Sequence, residues 1–133
     1  MAVLPTRTTS NIAAEHVADH NELHGRHNRT QSTAPAIAAG AGAGTAPTVS
    51  VSGTDASGVI SVTTGTSPAA GLLATLTWVT AYSTAARMVL SAGNAAAAAV
   101  QPHSTATTTT GTVSVAVAPA ASTLHTFNYV VVQ

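Results

Sequence analysis

Four histidines, His16, His20, His24 and His27, recur at spacings of four, four and three residues. On a helix that spacing gathers all four into one narrow sector. Neutral imidazoles stacked in this way are candidate metal ligands. However, no carboxylate stands at the centre of the sector, and the His-Glu-x-x-His pattern of a helical zinc site does not occur. Ile12 and Leu23 border the same face. The stripe is therefore expected to be a partner-contact face formed by Ile12, His16, His20, Leu23, His24 and His27, with a metal site as the alternative. In a parallel trimer it would stack imidazole rings along the axis or against a neighbouring protein.

Other candidate chemistry is sparse. After residue 30 the chain carries one carboxylate (Asp55), one guanidinium (Arg87) and two histidines (His103 and His125). Any Ser-rich chain supplies the members of a Ser-His-Asp triad, but the Gly-x-Ser-x-Gly elbow that exposes a nucleophile is absent. Asp55 lies in the turn Gly53–Gly58, where hydrogen bonding to neighbouring backbone accounts for it. Arg87 opens a strand and is expected to pair with Asp55 or with a neighbouring subunit. The glycines of residues 40–44 precede no Lys-Ser/Thr pair and no strand–helix unit, so they form a connector rather than a phosphate cradle. Trp78, Tyr82, Phe127 and Tyr129 would suit a sugar-stacking platform. In a chain with 3% aromatic residues they are expected instead to form the core or an oligomer contact. No catalytic residue, metal or cofactor is expected, and the protein is read as a non-enzyme.

Composition narrows the partners. Charged residues make up 6% of the 133 residues, the formal net charge is zero and lysine is absent. Steering toward nucleic acid or an anionic membrane therefore has no electrostatic basis. No apolar run approaches the roughly 20 residues of a membrane span, and Met1–Pro5 is too short for the apolar core of a secretory signal. A soluble protein is expected. Cysteine is absent, which rules out disulfides and thiolate metal sites. The 45% apolar content is largely Ala and Val. Such side chains bury little area each, and burial stabilises by about 25 cal/mol per Å². Neighbouring subunits are expected to supply more.

The elements follow from patterning. Six of the eight charged residues precede residue 31, which divides a polar N-terminal arm (residues 1–32) from a low-charge body. Within the arm, Asn11–His24 reads as a short helix with Ser10 or Asn11 as N-cap and Gly25 just beyond its end. Residues 33–47 read as an Ala/Gly/Pro linker without periodicity. Residues 48–133 read as short strands punctuated by turns: Thr48–Ser52, Val59–Thr64, Leu72–Val79, Arg87–Ala92, Ser104–Thr110, Thr112–Ala118 and Leu124–Val132. In the third of these, Leu72, Ala74, Leu76 and Trp78 are expected on one face, opposite Leu73, Thr75, Thr77 and Val79. The run Ala95–Val100 is either a further strand or a helical turn, and alanine propensity favours the turn. The fold class is mainly β, a short N-terminal helix and extended arm followed by a small antiparallel β-sandwich, expected to pack with neighbouring subunits.

The body resembles the C-terminal domain repeated across bacteriophage fibre, appendage and head-decoration proteins. The residues that carry the resemblance are GTDASGVISVTTGTSPAAG (53–71), LATLTWVTAY (73–82), RMVLSAGNAAAAA (87–99) and STLHTFNYVVV (122–132). The segment VADHNELHGRHN (17–28) looks like a short N-terminal element of phage structural proteins. The body is also similar, more loosely, to H-type-lectin-like modules, six-stranded sandwiches that trimerise and often bind sugars. The resemblance implies a homotrimeric structural protein on the capsid exterior of a virion, made in the host bacterial cytoplasm and bound to the major capsid protein through its N-terminal arm. The shortness of the chain and the lack of a fibre shaft favour such a decoration role. The alternative it implies is a minor tail protein or tail-fibre tip that binds host surface carbohydrate. Against that, the body has almost no charged or amide-rich loop residues with which to read a glycan.

Overall fold

The computed structural model describes residues 33–133. Eight strands form two four-stranded sheets: β1 (Ala36–Ala39), β2 (Thr48–Gly53), β3 (Ser57–Thr63), β4 (Gly71–Thr77), β5 (Arg87–Ala92), β6 (Pro102–Ala106), β7 (Thr110–Val115) and β8 (Leu124–Val132). The first sheet has the order β1-β4-β7-β6 and the second β2-β3-β8-β5. Every pairing is antiparallel. One short helix, α1 (Ala95–Ala99), links β5 to β6. Among the described residues no helix is long and apolar enough to cross a membrane.

Alternation places the core between the sheets. From the first sheet come Leu73, Ala74, Leu76, Val113 and Val115; from the second come Ile60, Val62, Met88, Phe127 and Tyr129, all buried. Trp78 and Tyr82, just beyond β4, close one end, their rings edge-to-face with centroids 5.8 Å apart. Strand β8 is the longest, and its period-2 pattern buries His125, Phe127 and Tyr129 while Leu124, Asn128, Val130 and Val132 face out. Strands β5 and β8 have the bounds expected from patterning, and β2 and β3 lie within two residues of theirs.

Local expectations are corrected in the linker, in β4 and in the threonine run. The Ala/Gly/Pro stretch is not a connector without periodicity: Ala36–Ala39 is β1, paired with Ala74–Thr77 of β4, and a 3-10 turn follows at Ala41–Ala43. Its composition reflects close backbone approach. A Cβ on Gly40 would stand 2.4 Å from the carbonyl oxygen of Leu72, and one on Gly42 2.8 Å from the same atom. In β4, the phase changes at a bulge between Leu72 and Ala74. Leu73 and Ala74 are both fully buried, and Leu72 is turned out.

The threonine run does not continue one strand to Thr110. The Thr107 hydroxyl accepts from the amides of Thr109 (3.2 Å) and Thr110 (3.0 Å), and the chain reverses there. Strand β7 therefore starts at Thr110 and ends at Val115, where the amides of Ala116 and Val117 turn to the Val100 carbonyl. Ala95–Ala99 is helical, the reading that alanine propensity favours. Asn94 caps it, its Oδ1 accepting from the Ala97 amide at 2.9 Å, and its Nδ2 donates to the Leu124 carbonyl at 2.9 Å.

Candidate interaction surface

The end of the sandwich that carries the β2–β3 turn holds the body's one carboxylate. Gly53 (φ 121°) turns the chain, and Asp55 at the tip is fully buried. Its Oδ1 accepts from the Val79 amide and its Oδ2 from the Thr80 amide, each at 2.9 Å. The Tyr82 hydroxyl donates to the Asp55 carbonyl at 2.7 Å, and the Tyr129 hydroxyl donates to the Thr54 carbonyl. The partners lie more than 20 residues away, so the local turn bonding expected for Asp55 is corrected to a long-range clasp. It ties the tip of the second sheet to the loop that follows β4 of the first. Burial, then the Asp55 charge, then Tyr82 push the Tyr129 phenol up to about 12.

Arg87 begins β5 on the exposed side, opposite Val132. The Asp55 carboxylate meets backbone amides of the loop after β4. Trp78, Tyr82, Phe127 and Tyr129 are 5%, 6%, 0% and 1% exposed, which leaves no ring face free to stack on a sugar. The Trp78 indole donates to the Thr107 carbonyl at 3.4 Å. His103 is exposed on β6 opposite Ser114. His125 is buried, with Nδ1 at 3.0 Å from the Thr123 carbonyl. Among the described residues no three His, Cys, Asp or Glu side chains assemble into a metal-holding group. The expected contact stripe of Ile12, His16, His20, Leu23, His24 and His27 lies outside the described residues.

The two outer faces differ. On the first sheet the outward positions are mainly hydroxyls, with Thr75 opposite Thr112 and Thr112 opposite Thr105. The Thr105 and Thr112 hydroxyls are 2.6 Å apart. On the second sheet, β5 and β8 present an apolar patch. Val89 and Val130 are direct cross-strand partners and are 59% and 51% exposed, with Val132 beside them at 47%. Val59, half-buried on β3, lies opposite Asn128, one step along from Val130. Patterning did not single out this patch. Its signal is the run Val130-Val131-Val132, apolar on both faces of a strand that elsewhere alternates. Against protein families, curated proteins and solved structures, the chain matches none.

Proposed function

We propose that this chain is a structural protein of a bacteriophage virion, a decoration protein that binds the outside of the assembled capsid as a homotrimer. The observation that carries the reading is how the body uses its charge. Its one carboxylate is a buried clasp between loops, and its outer sheet offers uncharged aliphatic side chains. Such a body is built to pack against protein. The resemblance of residues 53–71, 73–82, 87–99 and 122–132 to the phage fibre and decoration domain supplies the virion context. Residues 1–32, which hold six of the eight charges and the histidine stripe, are the proposed attachment to the major capsid protein.

The mechanism is mass action. A protein that binds the closed shell and not its free subunits stabilises the shell by its binding free energy. Three arms on one trimer raise the effective concentration of the second and third contacts, so weak single contacts suffice. The test is copy number, measured by calibrated mass spectrometry of purified virions against the major capsid protein. A simple fraction of the shell protein is expected. A handful of copies per particle would place the protein on the tail instead, and its absence from virions would overturn the reading.

A further inference from the structure

We propose that the valine face of the second sheet, centred on Val89 and Val130, is the surface through which copies of this chain pack on one another. The inference rests on the assembly reading above and names its contact. Val89, Val130 and Val132 stand side by side on β5 and β8, each about half exposed or more. They occupy positions where other strands of the body place Ser or Thr, such as Ser50 and Ser52 on β2 or Thr75 and Thr77 on β4.

Charge selects the occupant. The described body has two formally charged residues, and Asp55 is buried, so Arg87 at the rim of the patch is its one exposed formal charge. A partner carrying several charges would bury all but one of them against this face without compensation. A second copy of the same neutral sheet meets no such cost.

Area points the same way. Four strands and about six residues per strand give the sheet a face of roughly 19 by 20 Å, about 400 Å² in plan. A standard interface takes about 800 Å² from each partner. One face-to-face pair falls short, whereas in a closed ring each copy turns its valine face to one neighbour and a different surface to the other, so a second contact adds to the area buried per chain. One edge of the sheet also lacks defences. Edge strand β2 (Thr48–Gly53) contains no charged residue and no proline, the devices that normally keep a sheet edge from pairing.

The experiment is sedimentation of the full chain across micromolar concentrations, alongside Val130→Lys and, as a control on the opposite sheet, Thr112→Lys. Wild type and Thr112→Lys are expected to sediment as the same oligomer. Val130→Lys is expected to be a monomer with an unchanged far-UV circular dichroism spectrum. A milder pair, Val89→Thr with Val130→Thr, keeps β-branching and is expected to raise the dissociation constant at least about tenfold, so the inference stays testable if the lysine variant does not fold. A monomeric wild type, or a folded Val130→Lys chain that keeps the wild-type oligomer, overturns the inference. Copy number in virions is read independently, so attachment to the shell and self-contact fail separately.

Discussion

Asparagine at position 55 tests the clasp with the least change of shape. In the wild type both carboxylate oxygens accept backbone amides at 2.9 Å. A hydrogen bond to a charged group contributes about 1.5–3 kcal/mol net, roughly twice a neutral one. In Asp55→Asn one bond survives in neutral form. The other becomes an amide N–H facing an amide N–H, which adds about 1–3 kcal/mol for a stranded donor. The expected loss is about 3–5 kcal/mol, a large share of the roughly 5–15 kcal/mol available to a domain. For a body of this size it corresponds to a fall in Tm of about 12 °C or more.

Urea unfolding followed by far-UV circular dichroism gives the loss, and near-UV signals from Trp78 and Tyr82 report the packing of that end. Tyr82→Phe removes only the hydroxyl that donates to the Asp55 carbonyl at 2.7 Å and is expected to cost about 1 kcal/mol. The two changes touch one turn, so the double variant should depart from additivity by at least about 0.5 kcal/mol. A loss below about 1 kcal/mol for Asp55→Asn would refute the clasp.

Two further outcomes follow from the same end of the sandwich. Gly111→Ala would set a Cβ 2.6 Å from Cη2 and Cζ2 of the Trp78 indole and 3.0 Å from Sδ of Met88; a rigid buried ring yields poorly, so a loss of about 1–3 kcal/mol is expected, with a shift in tryptophan emission. Burial holds the Tyr129 phenol up at about 12, above the ordinary phenol value, so its contribution is complete below about pH 10 and is lost as pH climbs toward 12. In Tyr82→Phe, where Tyr129 is the remaining tyrosine and burial and Asp55 still raise its pKa, tyrosinate absorbance should appear well above pH 10 or on unfolding; a transition centred at pH 10 with the fold intact would contradict this. Adding Asp55→Asn removes a charge that raises this pKa and should move the transition down.

Legibility tracked the range of the interactions involved. β5 and β8 were readable to the residue because their alternation is clean and their ends are marked by Arg87, Gly93 and the polar segment before Leu124. The bulge in β4 was not, because two adjacent leucines satisfy either phase and only the register with Ser114 and Val113 decides. Strand β1 was hidden for a related reason: AIAA has no alternation of polarity, and its strand character comes from pairing with β4. The break in the threonine run lies in hydroxyls that turn back on their own backbone, and a row of identical residues cannot mark which one does so. At the candidate surface, Asp55 was visible as a turn residue, while its true partners at Val79 and Thr80 were beyond any local pattern.

With few charged side chains to draw on, this body gains order from short polar side chains placed where strands end. Thr64 donates to the Ala120 carbonyl at 2.6 Å and accepts from the Thr123 amide at 3.0 Å, holding the β7–β8 loop against β3. Asn94 joins α1 to β8, Ser104 donates to the Met88 carbonyl between the sheets, and Asp55 joins the β2–β3 turn to the loop after β4. Each of these side chains is too short to reach far and too small to cost much conformational entropy on ordering. Each satisfies backbone that a loop would otherwise leave exposed or unpaired. Because these contacts use side chains that carry no net charge at the surface, the sheet faces are left free of it. A neutral exterior of this kind has little electrostatic means of discouraging association. On this argument the economy that lets a small, nearly uncharged sandwich fold is the same property that would suit it to the proposed packing among copies.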